Sequence, residues 1–518
     1  MENKRIQINS GPMVLLILDG WGISKMNRGN AIALARKPYI DHLMKHYPNT
    51  KLNTSGKYVG LPPEQAGNSE AGHMNIGAGR IMEQDAVRVN KAISQGSFFR
   101  NPALISAINH VKKNNSNLHI MGLVSSGQSA HSEPDHLLAL ISLAKFNDVK
   151  NIYFHLFTDG RDSPSHSALK IIEHLERILR QKKIATIIGR YYAMDRKKNW
   201  SCTEKAYNAL VLGIGRRAQS PQAAITQAYN RGETDEFIEP YVMTNHHKAI
   251  SAINDNDAII FFNLRSDRAR QLAKPFVQEK FEKLNAGSFK RKKVLKNICF
   301  VAMTNFGPDL GHIATAFPVE PIQDTLPMLL IEKKQLYIAE TEKYAHMTYF
   351  INGGYADPVA NETRIKIESP NVKNYAETPR MSVGKITTKV LENIPKYDFI
   401  GINFSSPDMI GHTGNIEATI KAIEFVDTCI GRIYKKVLQN NGILIITADH
   451  GNAEHKINLK TDEHIPEHSK NPVPFILISK KKYVIKKRVG SLCDVLPTIL
   501  ELFNIPKADD ITGVSLIK

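Results

Sequence analysis

Short, uninterrupted apolar runs recur along the chain, and each is followed by polar residues. The first run, Met13–Leu18, is typical of a strand buried on both faces of a parallel sheet. Comparable runs predict further strands at 118–124, 152–157, 184–188, 258–262, 298–302, 399–404 and 443–447. Between them, apolar residues at helical spacing predict amphipathic helices, as in 168–179 and 416–437. This alternation predicts an α/β fold with parallel sheets.

The same pattern suggests where the chain divides. From about residue 84 the strand–helix alternation repeats up to about residue 302, which predicts a second α/β unit in the middle of the chain. The segment 303–318 contains Asn305, Gly307, Pro308 and Gly311, a composition typical of a loop. We therefore interpret 303–318 as a linker.

The charge balance is strongly basic. The chain has 518 residues, a formal net charge of +18 and a pI near 9.5. This balance is compatible with nucleic-acid binding, with attraction of a small anionic substrate, or with a generally basic surface. The basic residues are scattered in short runs such as 480–482 and 291–293, and the sequence carries no nucleic-acid-binding motif. A generally basic surface is therefore favoured.

The cysteines and the apolar runs indicate a cellular compartment. The four cysteines, at positions 202, 299, 429 and 493, lie far apart, which favours a reducing environment without a disulfide framework. The first apolar run is too short, and too soon followed by Asp19, for a signal peptide. No run approaches the roughly 18 residues of a membrane helix. We expect a cytoplasmic protein.

One hydroxyl group lies in a distinctive setting. In the stretch 67–73, GNSEAGH, Ser69 stands between a turn-forming pair and the predicted first turn of a helix. Helix N-termini expose N–H groups and a partial positive charge, which suit phosphate. A serine there can accept a phosphoryl group if another group removes its proton. Since no histidine–carboxylate pair adjoins Ser69 in the sequence, we expect the activating groups to come from elsewhere in the chain.

Basic residues follow several strands of the predicted middle unit. Because the carboxyl ends of parallel strands gather ligand-binding groups, a cluster of arginines at that edge is harder to explain as surface charge than a single one. Arginine binds carboxylate and phosphate, so the cluster predicts a small polyanionic substrate. The residues are His131, Arg161, Arg190, Arg196, Arg265 and Arg268. Lys343 could serve the same anion, although a lysine among glutamates is more often solvated.

A second set of polar residues has the chemistry of metal ligands. These follow other strands or lie in loops: Asp19, Asp408, His412, Asp449, His450 and His468. Taken singly, each could be a helix cap or a hydrogen-bonded core residue. Together with Ser69 they supply two mixed oxygen and nitrogen sites, which suit Mn²⁺ or Zn²⁺ rather than Ca²⁺, with Mn²⁺ favoured. Two such ions can activate a hydroxyl and hold both oxygens of an in-line displacement.

These motifs resemble those of the cofactor-independent, metal-dependent phosphoglycerate mutases, a branch of the alkaline-phosphatase superfamily. The resemblance covers essentially the whole chain and is carried by residues 19–22, 67–80, 158–162, 189–196, 339–346, 411–414 and 447–454. It implies a phosphatase-like metal-binding domain with a parallel sheet, formed by both chain ends, 1–83 and 316–518. A transferase and substrate-binding α/β domain, 84–315, would be inserted into it.

The resemblance also implies a role for each candidate residue. Ser69 would be the nucleophile that becomes phosphoserine. One metal ion would be held by Asp408, His412 and His468, and the other by Asp19, Ser69, Asp449 and His450. The substrate-binding residues would be His131, Arg161, Asp162, Arg190, Arg196, Arg265, Arg268 and Lys343, with Asp162 also acting as the proton-shuttling base.

The implied activity is the interconversion of 3-phosphoglycerate and 2-phosphoglycerate in glycolysis and gluconeogenesis. The phosphoryl group would pass to Ser69 and return to the other hydroxyl of glycerate, without bisphosphoglycerate. Two Mn²⁺ ions are implied, with Zn²⁺ or Co²⁺ as alternatives. The resemblance further implies a monomer that acts on a small molecule, with neither a nucleic-acid nor a membrane partner.

The chain departs from the family pattern around His131, and other functions remain open. Where the family reads GGVHSH, residues 127–133 read GQSAHSE, so the assignment of His131 depends on where one extra residue is placed. One alternative is a metal-dependent phosphohydrolase or another phosphomutase of the same superfamily, indicated by phosphate release without an isomer product. The other is a basic nucleic-acid-binding protein that retains the fold, indicated by salt-sensitive binding without metal uptake.

Overall fold

The computed structural model describes residues 11–25, 27–126, 129, 131–179, 183–307, 309–311, 313–318, 322–372 and 374–518. The chain forms two compact units. Unit 1 comprises residues 1–84 and 320–518, and unit 2 comprises residues 85–319. Unit 1 is therefore built from two segments that are distant in the sequence.

The strands lie in both units. They are β1 (Met13–Leu18), β2 (Asn49–Asn53), β3 (Leu118–Val124), β4 (Ile152–Thr158), β5 (Ile184–Gly189), β6 (Arg216–Ala218), β7 (Tyr241–Asn245), β8 (Lys248–Ala249), β9 (Ala258–Phe261), β10 (Cys299–Ala302), β11 (Ala314–Thr315), β12 (Gln335–Glu340), β13 (Thr363–Ile367), β14 (Phe399–Phe404), β15 (Ile443–Thr447), β16 (Val473–Ile478) and β17 (Gly490–Ser491).

The α-helices alternate with these strands. They are α1 (Ala31–Leu34), α2 (Pro38–His46), α3 (Ser69–Ala78), α4 (Asp85–Ser94), α5 (Pro102–Asn114), α6 (Pro134–Phe146), α7 (Ala168–Leu179), α8 (Arg190–Ala193), α9 (Trp200–Leu212), α10 (Pro221–Asn230), α11 (Ser266–Val277), α12 (Phe281–Leu284), α13 (Leu326–Leu329), α14 (Val383–Asn393), α15 (Ser406–Gly411), α16 (Ile416–Gln439) and α17 (Val495–Phe503). Within the described ranges, none of these helices has the length and apolar character needed to span a membrane.

The sheet of unit 1 has β1 near its centre, in the strand order β13-β12-β14-β1-β15-β16-β2-β17. β1 pairs in parallel with β14 on one side and β15 on the other, and all six of its residues are buried. β16 runs antiparallel to both of its neighbours, β15 and β2. The apolar sequence MVLLIL suits a strand that is covered on both faces. The carboxyl ends of β1, β14 and β15 therefore meet at one edge of the sheet.

The sheet of unit 2 has the order β11-β10-β9-β3-β4-β5-β7-β6, with β8 paired to β7. It is parallel from β11 to β5, and β7 runs antiparallel to β5. Alternate side chains of the same strands belong to two different hydrophobic clusters. Ile120 and Leu156 belong to one cluster, and their neighbours Met121 and Phe157 belong to the other. Strands buried on both faces again read as continuous apolar runs.

The predicted α/β architecture with largely parallel sheets is confirmed, and four strand predictions, 13–18, 118–124, 399–404 and 443–447, match the observed bounds. The interpretation of 303–318 as a linker is wrong for the residues that the structure describes. Phe306 and Leu310 are buried in the core of unit 2, and β11 pairs with β10. Apolar anchors spaced among loop-forming residues hold this segment against the sheet.

Candidate active site

Ser69 is the first residue of α3, as predicted, and it is buried. Asn68 caps the helix because its side-chain oxygen accepts a hydrogen bond from the N–H of Ala71 at 2.8 Å. Gly72 allows α3 to pass close to the end of β15, since a Cβ at this position would lie 2.7 Å from the Cβ of Asp449. The serine hydroxyl is thereby held at the positive end of a helix, next to the strand ends of unit 1.

The Ser69 hydroxyl is surrounded by charged and metal-ligand side chains from distant parts of the chain. Its Oγ lies 2.7 Å from Nζ of Lys343, 2.9 Å from Nε2 of His450 and 3.3 Å from Oδ1 of Asp19. These three residues follow β12, β15 and β1 respectively. Folding therefore brings candidate activating groups to Ser69 from residues that are distant from it in the sequence.

One predicted set of metal ligands, Asp408, His412 and His468, converges beside this hydroxyl. The two histidine Nε2 atoms lie 3.0 Å apart and are 3.4 and 3.3 Å from Oδ1 of Asp408. Each ring donates from Nδ1 to a backbone carbonyl, His412 to Pro466 and His468 to Gly67. In the neutral rings both Nε2 atoms then carry lone pairs that point at each other, so this set fits a bound cation.

The other predicted set also converges. Oδ1 of Asp449 accepts hydrogen bonds from the backbone N–H groups of Gly20 and His450. Its Oδ2 is buried and has no hydrogen-bond partner in the described part of the chain. Burial, together with the charge of Asp19, raises the pKa of Asp449 to about 7. A buried, charged carboxylate oxygen without a hydrogen bond, close to a second carboxylate, destabilises the folded protein. A divalent cation would neutralise both charges, so this set too suits one.

Lys343 lies among these acidic donors rather than with the arginines of unit 2. Its Nζ is 2.7 Å from Oδ1 of Asp19 and 2.7 Å from Oδ2 of Asp408, and the side chain is buried. Burial would lower the pKa of Lys343, but the two carboxylates raise it above its usual value. Lysine is therefore a fixed positive charge beside the serine oxygen.

Sequence reasoning missed two residues that support Ser69. His73, one helical turn after Ser69, donates from Nδ1 to the serine carbonyl oxygen at 2.8 Å. Asn403, on β14, donates from Nδ2 to Nε2 of His73 at 3.1 Å and to Oδ2 of Asp19 at 2.7 Å. Both side chains are fully buried. The i, i+4 spacing of Ser69 and His73 was the one available signal, and it does not identify Asn403.

In unit 2, Arg190 anchors a second group of predicted residues. Arg190 is buried at the start of α8, and its guanidinium donates to Asp159 and, at 3.0 Å, to Oδ2 of Asp162. Asp159 also accepts hydrogen bonds from the backbone N–H groups of Arg161 and Asp162. The turn that follows β4 is thereby fixed around one buried ion pair.

The remaining arginines lie near this pair. Arg196 and Arg265 both contact Asp267, at 2.6 and 3.6 Å. Burial and the positive charges of Arg190, Arg196 and Arg161 lower the pKa of Arg268. Such a concentration of guanidinium groups favours an anionic ligand.

His131 lies beside the same arginines. It is buried, and its Nδ1 has no hydrogen-bond partner among the described residues. Burial, reinforced by the charges of Arg190 and Arg265, lowers the pKa of His131 to about 4. The ring is therefore neutral near pH 7. The structure thus brings together the predicted unit 2 residues, and places Lys343 alone of that list in unit 1.

Comparison with known proteins accounts for both units. A family model described as the BPG-independent PGAM N-terminus matches residues 89–308, and a sulfatase family model matches residues 347–505. The 2,3-bisphosphoglycerate-independent phosphoglycerate mutase of Clostridium kluyveri is 47% identical over 514 residues, 98% of this chain and 99% of the relative. The corresponding mutase 1 of Methanosarcina acetivorans is 47% identical over 515 residues, 98% of each chain.

A solved structure agrees with these relatives. The crystal structure of Leishmania mexicana phosphoglycerate mutase at low cobalt concentration is 29% identical, with a TM-score of 0.78, and the match covers 100% of this chain and 99% of that chain. The fold and the clustered carboxylates and histidines define an alkaline-phosphatase-like unit with side chains suited to bind divalent metal ions. A second α/β unit is inserted into it. Within that class, the chain belongs to the family of 2,3-bisphosphoglycerate-independent phosphoglycerate mutases.

Proposed function

We propose that this protein interconverts 3-phosphoglycerate and 2-phosphoglycerate through a phosphoserine at Ser69, without a bisphosphoglycerate cofactor. The observation that carries the proposal is the convergence of Lys343, His450 and Asp19 on the Ser69 hydroxyl. A nucleophilic alcohol needs such neighbours to lose its proton at neutral pH. The family membership makes phosphoglycerate the substrate class to test first.

Two divalent ions fit the donor sets, and Mn²⁺ is the ion we propose, with Zn²⁺ and Co²⁺ able to use the same ligands. One ion would be held by Asp408, His412 and His468. The other would be held by Asp19, Ser69, Asp449 and His450, which contact one another in pairs. Ions in such positions lower the pKa of a bound hydroxyl and neutralise phosphoryl oxygens.

The side chains of unit 1 carry the phosphoryl transfer. The Lys343 ammonium and the positive end of α3 favour the alkoxide of Ser69 over the alcohol and then favour the bound phosphoryl group. As the Ser69 alkoxide forms the Oγ–P bond, the bond between phosphorus and the 3-oxygen of glycerate breaks, and that oxygen takes the proton that Asp162 holds. The second half-reaction reverses these steps at the 2-oxygen.

The residues of unit 2 retain the glycerate between the two half-reactions. Arg161, Arg190, Arg196, Arg265 and Arg268 supply guanidinium groups suited to its carboxylate and to phosphate. His131, held neutral, is placed to hydrogen-bond a ligand hydroxyl or anion. Asp162 serves as the base that takes the proton of the attacking hydroxyl and returns it. Retention of glycerate distinguishes a mutase from a phosphatase, because water would hydrolyse the phosphoserine if glycerate were released.

A coupled assay tests this function. The purified protein with Mn²⁺ and 3-phosphoglycerate, and no added bisphosphoglycerate, is expected to form 2-phosphoglycerate. Ser69→Ala is expected to lose at least about 10⁴-fold in rate, as when other enzymes lose their nucleophile. Ser55→Ala is the matched control, since this hydroxyl of unit 1 bonds only the backbone carbonyl of Lys470 among the described residues.

Three further readouts define the outcome. A chelator is expected to abolish the reaction and added Mn²⁺ to restore it. Release of inorganic phosphate from several esters, without an isomer product, would instead establish a phosphohydrolase and overturn the mutase assignment. Phosphate trapped on wild-type protein and absent from Ser69→Ala locates the intermediate.

We further propose that the protein acts as a cytoplasmic monomer in glycolysis and gluconeogenesis, on a small molecule and without nucleic-acid or membrane partners. The scattered lysines support this, since they form no continuous basic stripe in the sequence. Sedimentation equilibrium is expected to give the monomer mass of 58.0 kDa. A retarded DNA or RNA band at physiological salt would contradict the proposed absence of a nucleic-acid partner.

A further inference from the structure

Ser129 links two residues of the unit 2 site through one hydroxyl group. Its Oγ donates a hydrogen bond to Oδ2 of Asp162 at 2.7 Å and accepts one from the backbone N–H of His131 at 3.1 Å. Because the His131 N–H occupies a lone pair of this oxygen, the hydroxyl proton is directed at Asp162. The serine therefore sets the distance between the carboxylate and the histidine backbone.

The hydroxyl also decides which oxygen of Asp162 is engaged. Arg190 donates to the same Oδ2 at 3.0 Å, so both hydrogen bonds from described residues to this side chain end on one atom. The backbone N–H of Asp162 is itself fixed by Asp159, at 3.1 Å. Two hydrogen bonds therefore hold the carboxylate and a third holds the backbone of the same residue, with 30% of the side chain exposed.

We propose that Ser129 is a positioning residue for the mutase reaction, which holds Asp162 by Oδ2 and leaves Oδ1 to exchange a proton with the hydroxyl groups of glycerate. In the second half-reaction, Oδ1 takes the proton of the attacking hydroxyl while its oxygen bonds phosphorus and the Ser69 Oγ–P bond breaks. In the reverse direction, Oδ1 gives this proton back to the same glycerate oxygen when the bond between that oxygen and phosphorus breaks. This role rests on the proposed function.

Ser129 lies in the segment where the sequence departs from the family pattern. Residues 127–133 read GQSAHSE, where the assignment of His131 depends on the placement of one extra residue. Ser129 forms an isolated antiparallel bridge with Ser132. This segment thus presents a hydroxyl group to the candidate base, in unit 2 rather than among the proposed metal donors of unit 1.

The charges that face Asp162 agree with this arrangement. The charged groups are Arg190 and Asp159, and the titratable ring of His131, neutral near pH 7, faces the same carboxylate. Burial acts to raise the pKa of Asp162, but the Ser129 hydrogen bond and the Arg190 charge outweigh it, so the pKa lies below the usual range. Loss of the hydroxyl removes one of the groups that stabilise the charged carboxylate.

The test compares the pH dependence of kcat/KM in Ser129→Ala, Ser129→Thr and Ser126→Ala, with Mn²⁺ saturating at every pH. In Ser129→Ala the acidic limb is expected to move up by about one pH unit, and kcat to fall about tenfold with a smaller change in KM. Ser129→Thr keeps a hydroxyl and is expected to retain the wild-type limb. Ser126→Ala removes an exposed hydroxyl of the same loop that donates to Ser163, and is the matched control.

The outcomes separate this role from the overall function. A wild-type protein without mutase activity would overturn the proposed function and this role with it. An active wild type, with an unshifted acidic limb in Ser129→Ala, would overturn this role alone. A purely structural contribution would change the melting temperature and leave the limb in place, so a melting curve on each variant completes the comparison.

Discussion

The ammonium nitrogen of Lys343 lies 2.7 Å from the hydroxyl oxygen of Ser69, and both side chains are buried. The same nitrogen contacts Asp19 and Asp408, which belong to the two different ligand sets proposed above. A lysine that would look solvated among the glutamates of its own segment is thus the positive centre of the candidate active site. Its charge stabilises both the alkoxide and the carboxylates around it.

Replacement of Lys343 is expected to affect the chemical step more than substrate binding. Lys343→Met should lower kcat by about 10²–10³-fold, because a charge aimed at the reacting oxygen is lost in a buried site. Steady-state kinetics at saturating Mn²⁺ measure this. Lys389→Met removes an exposed lysine of unit 1 that pairs with Glu392, and should leave kcat unchanged. A Lys343→Met enzyme with wild-type kcat would contradict the role of Lys343.

Divalent metal is expected to stabilise unit 1 through Asp449. Metal at about 100 times its Kd should add about 2.7 kcal/mol to the free energy of unfolding, or roughly 5–10 °C in melting temperature. Asp449→Asn should lose most of this rise, since its Oδ2 is a buried oxygen without a hydrogen-bond partner among the described residues. Differential scanning calorimetry with and without Mn²⁺ measures the difference.

The control for Asp449 is an exposed carboxylate of the same unit. Asp462→Asn removes the partner of Arg28 at the surface and should keep the full metal-dependent rise. An equal rise in Asp449→Asn and wild type would show that Asp449 does not hold the ion.

His73 is expected to support metal binding without contacting the substrate. His73→Ala removes the hydrogen bond to the Ser69 carbonyl and leaves Asn403 without its second acceptor. Losses of about 10–100-fold in metal affinity are usual when such supporting groups are removed. Titration calorimetry with Mn²⁺ measures the affinity. His46→Ala, an exposed histidine of unit 1, is the control, and equal affinities in the two variants would refute the prediction.

Acid is expected to destabilise unit 2 through His136. This histidine of α6 is buried, its Nε2 contacts Oδ1 of Asn90 at 2.9 Å, and burial lowers its pKa to about 4. Between about pH 6.5 and 4 the unfolded chain binds a proton that the folded state does not, so stability present above pH 6.5 is lost as the pH falls. The loss from this one group is about 2 kcal/mol at pH 5.

The variant His136→Gln should have a flatter decline in melting temperature between pH 7 and 5. The difference from wild type is expected to be roughly 4–8 °C over this range. His166→Gln, an exposed histidine of unit 2, should follow the wild-type curve. Parallel curves for wild type and His136→Gln would show that His136 does not cause the acid sensitivity.

Much of the site could be predicted because strand ends carry it. Asp19, Asp449 and Asp408 follow β1, β15 and β14, and parallel strands that pair as neighbours bring their ends together. The apolar runs located those strands to within a residue. The predicted metal donors were therefore expected to meet once the strand order placed β1 between the other two.

What the sequence could not indicate depends on side-chain reach and on packing. Lys343 extends from a short helix after β12 into a carboxylate cluster, a path that no local pattern encodes. Asn403 lies inside a strand, where no sequence pattern marks an amide side chain as part of a site. Its hydrogen-bond partners, His73 and Asp19, are distant in the sequence. In 303–318, loop-forming residues concealed the buried anchors Phe306 and Leu310.

The position of β1 between β14 and β15 has a consequence for biosynthesis. Asn403, which holds the Asp19 carboxylate, is 384 residues further along the chain, so it leaves the ribosome roughly 20–80 s after Asp19 at common elongation rates. Unit 2 is continuous and can fold in that interval, while the central strand of unit 1 has no neighbours to pair with. The nascent Ser69 therefore lacks the neighbours proposed to activate it until Lys343 and His450 have been translated.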